Sequence, residues 1–299
     1  MFASFMTRLF AFLLTVVSFF TNISTARQEK NVSIPENAVR IDYGSDVCEH
    51  LNLFIPETPA YDDTVLLMIH GGAWVFGTEA MFNSNCEDAY GAGFICATMD
   101  YKKIQNGANA YDMCDEVDMA VSAIKTELEN RGFSPKHLIL TGHSAGSHIL
   151  LMYAYTRYET CPIDIAFVLS NSGPADFIKD AEAKTTTMGQ QAHWALTGLS
   201  GEYIFSSLPE DQYESIYGVS PLYLVKPGVP PTILVHGSED EMVPFENSTD
   251  TYNALVEAGV DAELVVYEGA SHILGARFTE GEAARADAFY RFVEKYCTE

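Results

Sequence analysis

One five-residue stretch constrains this fold more than any other, and it consists of Gly142-His143-Ser144-Ala145-Gly146. The apolar run 138–140 before it is typical of a buried strand, and the run 149–152 after it is typical of a helix. A Gly-x-Ser-x-Gly at such a junction predicts a sharp, strained turn that exposes the serine hydroxyl at the edge of a sheet. The flanking glycines, which have no Cβ, let the strand and the helix approach closely. Ser144 is therefore the candidate nucleophile.

Short apolar runs alternate with amphipathic stretches along the chain. Strand-like runs occupy residues 47–55, 65–70, 94–100, 137–141, 163–170, 232–236 and 262–267. Helix-like stretches occupy residues 111–130, 144–158, 248–258 and 282–296. In the first of these helices apolar side chains recur every three or four residues, which is the period of a helix with one buried face. Strands that alternate with helices predict an α/β fold, with a mostly parallel sheet covered by helices on both faces.

The segment 174–218 interrupts this alternation. It is far longer than the roughly 2–6 residues that usually join such elements, and it is rich in aromatic residues. We interpret it as a small cap over the active site, because ligands of such folds bind beyond the carboxyl ends of the strands. An ordinary insertion packed on the body is the alternative. No repeat or flexible linker divides the rest of the chain, so we expect a single domain over residues 27–299.

The N-terminal residues 1–26 have the pattern of a secretory signal peptide. Arg8 precedes the apolar run 9–20, and Ser24-Thr25-Ala26 fits a cleavage site with small residues. The apolar run is shorter than the span of about 20 residues that crosses a membrane comfortably. We expect cleavage after residue 26 and a protein that is secreted or resides in the secretory lumen. An uncleaved membrane anchor is the alternative.

Cysteines and glycosylation sequons bear on the same question of compartment. An oxidising compartment permits disulfides among the cysteines, whose spacing matches no zinc site. The six cysteines are Cys48, Cys86, Cys96, Cys114, Cys161 and Cys297. Cys96 lies in a strand-like run, where a small buried apolar residue is the alternative interpretation. Outside the signal peptide, Asn31 and Asn247 begin N-glycosylation sequons and are candidate glycan acceptors.

Ser144 needs a base, because a free hydroxyl is a weak nucleophile at neutral pH. His272 lies in a loop of small residues between the last predicted strand and the C-terminal helix, so it can reach back to the sheet edge. His143 and His148 flank Ser144 and are the alternatives. We therefore expect His272 to accept the serine proton.

The base in turn needs a carboxylate that fixes its tautomer and stabilises the imidazolium. Asp240 lies in the loop that follows the predicted strand 232–236, and it is the candidate acid. Glu239 and Glu241 are local alternatives, and Asp176, after another strand, is a distant one.

A tetrahedral intermediate carries an oxyanion, which needs N–H donors fixed in place. Gly71, Gly72 and Ala73 follow an apolar run and can bring backbone amides close, because their side chains are absent or small. Ala145 supplies the amide that follows the nucleophile. These four residues form the predicted oxyanion hole.

Three further residues lie beside these donors. His70 is expected to brace the loop rather than to perform chemistry. Trp74 is expected to pack beneath the loop or to line the acyl pocket. Trp74 and His143 are therefore the candidate substrate-binding residues.

The segments 70–74, 142–146 and 236–244, followed by His272, resemble in this order the α/β-hydrolase superfamily, in particular its HGG-type esterase/lipase group. That group includes hormone-sensitive-lipase-like carboxylesterases, feruloyl-esterase-like enzymes, isoprenylcysteine methylesterases and kynurenine formamidases. The resemblance covers residues 45–297 and implies an α/β-hydrolase fold with a Ser-His-Asp triad. Ala73 stands where many hormone-sensitive-lipase relatives have a third glycine, which argues against hydrolysis of tertiary-alcohol esters.

The residues and the resemblance together predict a secreted serine hydrolase that cleaves carboxylic esters of small or aromatic acyl groups through an acyl-enzyme. No metal or cofactor is implied. An arylformamidase-type amidase on the same site is the nearest alternative, and a non-catalytic ligand-binding protein with this fold is a more distant one. The formal net charge of -24 argues against nucleic acid and anionic membrane surfaces as partners. The expected partner is a small-molecule ester.

Overall fold

The computed structural model describes residues 34–178, 213–275 and 277–298. It divides the chain into two units, Met1–Glu36 and Asn37–Glu299, and the fold below is that of the second unit. The expected signal peptide, Asn31 and residues 179–212 of the expected cap lie outside the described residues. Within the described part of the chain, no helix has both the length and the apolar character needed to cross a membrane.

The described strands form one eight-stranded sheet in the order β1-β2-β4-β3-β5-β6-β7-β8. The strands are β1 (Ala38–Asp42), β2 (His50–Phe54), β3 (Tyr61–Ile69), β4 (Phe94–Met99), β5 (His137–His143), β6 (Asp164–Asn171), β7 (Thr232–Gly237) and β8 (Ala262–Tyr267). β2 pairs antiparallel with both of its neighbours. All the other pairs are parallel, so the carboxyl ends of β3 to β8 meet at one edge of the sheet.

Helices follow most of the parallel strands. Those that the structure describes are α1 (Asn83–Gly91), α2 (Ala110–Asn130), α3 (Ala145–Arg157), α4 (Tyr213–Gly218), α5 (Glu246–Glu257) and α6 (Thr279–Tyr296). The start of α2 is fixed by a capping box in which the Asn109 side chain accepts from the N–H of Asp112, and the Asp112 side chain accepts from the N–H of Asn109. These two bonds satisfy backbone donors that have no partner inside the helix.

The central strand β3 shows how the two faces of the sheet are buried. Val65, Leu67 and Ile69 belong to one apolar core, and Leu66 and Met68, which point to the other side, belong to a second. A strand that is buried on both faces has a continuous apolar sequence rather than an alternating one. The predicted α/β class, with a mostly parallel sheet and helices on both faces, is confirmed.

Two of the elements that the apolar pattern did not predict are β1 and α1. The residues of β1 are half-buried or exposed, as expected of an edge strand, so its sequence carries no apolar run. Helix α1 is short and mostly polar, and of its residues only Cys86 is buried. Both elements lack the buried face on which such predictions depend.

The cysteines and Asn247 differ from the expectations. All six cysteines are free thiols, and five of them are buried. Cys96, for example, donates from Sγ to the carbonyl of Cys86 at 3.1 Å, so the predicted disulfides are not formed. Asn247 is also buried, with 4% of its surface exposed. Its Oδ1 accepts from the N–H groups of Ala175 and Asp176, and its Nδ2 donates to Pro244 O. A glycan on Asn247 is incompatible with these bonds, so that prediction is wrong.

Candidate active site

Ser144 lies in the strained turn between β5 and α3. Its φ of 54° and ψ of -122° lie in a region that residues with a side chain rarely adopt. The turn is possible because Gly146 lies directly against the end of β3. A Cβ on Gly146 would be 2.0 Å from the carbonyl oxygen of Ile69. The sequence pattern of small residues around Ser144 thus has a steric cause.

Two residues that the sequence did not single out hold this turn. The N–H of Ser144 donates to Asn171 O at 2.9 Å, and Asn171 Nδ2 donates to Gly142 O at 2.7 Å. The hydroxyl of Ser147 lies within hydrogen-bond distance of both Gly142 O (2.8 Å) and Asn171 O (3.0 Å). These bonds link the end of β6 to the turn and fix the position of the Ser144 backbone.

The candidate base and acid contact each other at the same edge of the sheet. Nδ1–H of His272 donates to Oδ2 of Asp240 at 2.8 Å, and both side chains are buried. Oδ1 of Asp240 accepts from the N–H groups of Met242 and Val243 at 2.8 and 2.9 Å. Burial raises the pKa of Asp240, but its hydrogen bonds from His236 and His272 outweigh that effect and hold the pKa well below its usual range. Asp240 is therefore ionised beside His272.

His236, at the end of β7, is a second partner of the candidate acid that sequence analysis missed. Its Nε2 lies 3.1 Å from Oδ2 of Asp240 and 3.0 Å from Val243 O, while its Nδ1 accepts from the hydroxyl of Ser248 at 2.7 Å. A polar residue at the end of a buried strand was the available signal. The carboxylate of Asp240 is thus held by two histidines, His236 and His272.

The alternative bases have other partners. His148 accepts from the indole N–H of Trp74 at Nδ1 and donates from Nε2 to Val219 O, at 3.2 and 2.8 Å. His143 donates from Nε2 to the carbonyl of His272 at 2.9 Å. Burial lowers the pKa of both rings to about 4, and for His143 the neighbouring His272 ring adds to the effect. His143 thus joins the loop of the candidate base to the residue before Ser144.

The alternative acids do not contact His272. Asp176 accepts from the hydroxyl of Tyr223 at 3.3 Å and from the N–H of Ile178 at 3.0 Å. Glu239 is exposed, although its N–H donates to Ala270 O at 2.9 Å and so ties the acid loop to the base loop. Of the carboxylates considered, the structure brings Asp240 to the base.

The predicted oxyanion loop lies directly beside the nucleophile. A Cβ on Gly71 would be 3.2 Å from the Cβ of Ser144 and 2.8 Å from His143 O. Among the described residues, no backbone carbonyl accepts from the N–H groups of Gly72 and Ala73. Ala145 is the first residue of α3, where backbone N–H groups have no partner within the helix. These three amides are therefore available at one place.

Positive φ angles give this loop its shape. Ala73 and Trp74 have φ of 52° and 60°, which is the left-handed region that residues with a Cβ usually avoid. Trp74 itself is buried, and its ring packs edge-on against His148 (5.2 Å between centroids) and Phe177 (5.9 Å). The Trp74 ring is thus packed in the interior against α3 and Phe177, and a part for it in lining the acyl pocket stays a prediction.

One other group of described residues has ligand atoms close enough to hold a cation. His50, Glu79 and Asp100 offer ligand atoms within 4.8 Å of one another, and all three are buried. Nε2 of His50 lies 3.1 Å from Oε2 of Glu79, and Asp100 Oδ1 accepts from the ammonium of Lys103. Each acid is thus already paired with a basic side chain, and we assign no metal here.

A family model named BD-FAE matches residues 51–255, which is more than half of the chain. The chain belongs to the BD-FAE family of α/β-hydrolases. A second model, the dienelactone hydrolase family, matches residues 215–296.

The curated relatives of the chain include esterases. A probable isoprenylcysteine alpha-carbonyl methylesterase of Arabidopsis thaliana is 26% identical over 78% of this chain and 50% of its own length. An esterase of Mycobacterium tuberculosis is 23% identical over 65% of this chain and 46% of its own length. This BD-FAE chain thus spans about half the length of the curated relatives it matches.

The fold is also that of solved esterases. Esterase B from Lactobacillus rhamnosis superposes with a TM-score of 0.72 at 19% identity, over 94% of this chain and 96% of that one. An esterase from Thermogutta terrifontis has a TM-score of 0.68 at 21% identity, over 87% and 92%. The α/β-hydrolase fold of this BD-FAE member is therefore confirmed.

Proposed function

We propose that this BD-FAE chain is a serine carboxylesterase that works through a Ser144-His272-Asp240 triad. The observation that carries the proposal is the buried hydrogen bond from His272 Nδ1–H to ionised Asp240. It leaves the other ring nitrogen of His272 as the proton acceptor, which is the tautomer that a serine hydrolase needs. The esterase names of the relatives and of the matching structures support the same class of reaction.

In the proposed reaction, Ser144 Oγ attacks the ester carbonyl while His272 accepts its proton. The N–H groups of Gly72, Ala73 and Ala145 stabilise the oxyanion that forms. His272 then donates the proton to the departing alcohol, which leaves an acyl-enzyme on Ser144. Water, deprotonated by the same ring, releases the acid and restores the hydroxyl.

We also propose that soluble esters with short or aromatic acyl groups are the substrates. Trp74, His148 and Phe177 pack against one another beside the oxyanion loop, which supports an aromatic environment next to the proposed acyl site. The acidic chain, with a formal charge of -24, disfavours anionic lipid interfaces. We expect kcat/KM to be higher for p-nitrophenyl esters with acyl groups from acetate to hexanoate than for long-chain triglycerides.

The test is a panel of p-nitrophenyl esters, a hydrophobic amino-acid methyl ester and an aryl formamide, with the wild type and Ser144→Ala. We expect Ser144→Ala to lose a factor of about 10³ or more in kcat and to lose labelling by a fluorophosphonate probe, with an unchanged melting temperature. Faster turnover of the formamide than of every ester would replace the proposal with an amidase. Retention of labelling in Ser144→Ala would refute the nucleophile.

We further propose that the protein enters the secretory pathway, loses residues 1–26 and carries a glycan on Asn31. The apolar run 9–20 and the small residues 24–26 support this proposal. N-terminal sequencing of the protein from a eukaryotic host should start near Arg27, and endoglycosidase should shift the wild type but not Asn31→Gln. A full-length cytosolic protein would contradict it.

A further inference from the structure

The segment that follows β4 braces the oxyanion loop at several points. The Tyr101 hydroxyl donates to His70 O at 3.1 Å, the N–H of Ile104 donates to Trp74 O at 3.1 Å, and Gln105 Nε2 donates to Val75 O at 2.8 Å. Two residues of the loop other than glycine, Ala73 and Trp74, have positive φ, and such strain persists only where the surroundings hold it. Tyr101, Ile104 and Gln105 therefore help to hold the loop that forms the proposed oxyanion hole.

The ring of His70 contacts the next residue of the oxyanion loop. Its Nδ1 lies 2.6 Å from Gly71 O, which can only accept, so Nδ1 must carry a proton. Its Nε2 lies 3.0 Å from Asp100 Oδ1 and 3.2 Å from Lys103 Nζ. The Gly71–Gly72 peptide is trans, so its carbonyl and its N–H point in opposite directions. By holding the carbonyl, His70 turns the N–H of Gly72 away from itself, toward the open side of the loop.

The ammonium of Lys103 contacts Nε2 of His70. Lys103 is buried, with 6% of its surface exposed. The three N–H groups of its ammonium face three acceptors, which are His70 Nε2, Asp100 Oδ1 and, at 2.6 Å, Tyr101 O. Lys103 Nζ can only donate and Asp100 Oδ1 can only accept, so Nε2 can serve one of them but not both. In a neutral ring with its proton on Nδ1, Nε2 accepts from Lys103, and Asp100 Oδ1 accepts from the same ammonium. Burial, and then the adjacent Lys103 charge, lower the pKa of His70. The same ammonium lies 3.9 Å from the centre of the Tyr101 ring.

We propose that Lys103 is a positioning residue of the oxyanion hole: its ammonium holds His70 in the neutral Nδ1–H form, in which the ring fixes the Gly71 carbonyl and thereby the Gly72 N–H. The effect on turnover rests on the proposed function. Without the ammonium, a neutral His70 would gain more by donating from Nε2 to the carboxylate of Asp100, since a hydrogen bond to a charged acceptor is stronger. The lone pair of Nδ1 would then face Gly71 O, and the loop would move.

The groups that face His70 define how the effect depends on pH. They are Asp100, Lys103 and the stacked ring of Tyr101, and the His50–Glu79 pair lies beside Asp100. If Lys103 is replaced by Met, a protonated His70 can donate to Asp100 and Gly71 O together at low pH. At higher pH the neutral ring has one N–H and can donate to only one of these acceptors, and it donates to Asp100. The ratio of variant to wild-type kcat should therefore fall as pH rises.

The first test is on the wild type and needs no active enzyme. Long-range ¹⁵N–¹H spectra of histidine-labelled protein, assigned with His70→Gln, should show His70 protonated at Nδ1 and unprotonated at Nε2 at pH 7. An Nε2–H or a doubly protonated ring would overturn the proposal. Loss of the Nδ1–H form in Lys103→Met would support it. Absence of ester hydrolysis in the wild type would refute the proposed function instead, so the two proposals fail separately.

The second test is kinetic and uses a matched lysine. Lys103→Met should lower kcat by about 10- to 100-fold with little change in KM, because removal of one oxyanion donor costs on the order of 10²- to 10³-fold. Lys102→Met should keep wild-type kcat, since Lys102 contacts Asp46 and Glu49 at 3.7 and 3.6 Å, away from His70. A kcat ratio for Lys103→Met that is constant with pH, or an effect confined to KM, would overturn the positioning role.

Discussion

Substitution of Gly146 by Ala tests whether close contact between α3 and β3 shapes the active site. The added methyl would lie 2.0 Å from the carbonyl oxygen of Ile69, 2.6 Å from its carbonyl carbon and 2.7 Å from His70 O. Ordinary van der Waals contact begins at 3.4 Å, and these are backbone atoms that no rotamer change can move aside. The start of α3 must therefore move by an amount on the order of 1 Å relative to the end of β3.

Two consequences follow from that displacement. Overpacking of this kind costs about 1–3 kcal/mol, which for a domain of this size lowers the melting temperature by roughly 2–12 °C. The displacement also separates Ser144 and Ala145 from the oxyanion loop that begins at His70. A misplacement of about 1 Å can cost about 100-fold in rate, so kcat should fall by one to two orders of magnitude.

Calorimetry and ester kinetics on Gly146→Ala and Gly91→Ala measure both effects. Gly91 is the last residue of α1, has no atom within 4 Å of the added methyl and is far from the site in sequence. Its substitution should leave kcat unchanged and the free energy of unfolding within about 1 kcal/mol of the wild-type value. A Gly146→Ala variant with wild-type melting temperature and kcat would refute the steric argument.

Two further substitutions test the charges. Asp240→Asn should lower kcat by on the order of 10⁴-fold, since an amide cannot fix the His272 tautomer, whereas exposed Glu239→Gln should retain activity; equal losses would shift the role away from Asp240. Burial, opposed in part by the N–H of Lys102, raises the pKa of Glu116 to about 7. Because the pKa of this carboxyl is higher in the folded than in the unfolded state, the free energy of unfolding falls by about 3 kcal/mol as pH rises from about 4.5 to 7. Urea unfolding should show that Glu116→Gln loses less stability than the wild type or exposed Glu129→Gln between pH 4 and 8; parallel curves would contradict this assignment.

The sheet could be predicted because its inner strands are buried on both faces. Such strands have continuous apolar sequences, as in β5, and the loops that follow them place candidate residues at one edge. Ser144, Asp240 and His272 were accessible to sequence analysis for this reason: each follows a predicted strand or lies in the loop after one. Their roles remain predictions, which the substitutions above test.

Residues that act on backbone atoms could not be predicted in the same way. Ser147 and Asn171 bond to carbonyls and N–H groups of the nucleophile turn. Lys103 bonds to the ring of His70, which belongs to a different loop, and no sequence pattern indicates that contact. Their partners are distant in sequence, and a polar residue in a helix or loop is ordinarily solvated. Asn247 shows the converse error, since a sequon is a local pattern whereas burial is set by the tertiary fold.

The free cysteines give each layer of the molecule its own chemical probe. Cys86 and Cys96 lie in the core on one face of the sheet, and Cys114 lies in the core on the other. Burial raises the pKa of Cys114 to about 12, so its reactive thiolate is scarce while the layer is closed. Alkylation at these positions requires local opening, and its rate at each thiol measures the free energy of that opening. The unmodified chain can therefore report separately on how its two helical layers come apart.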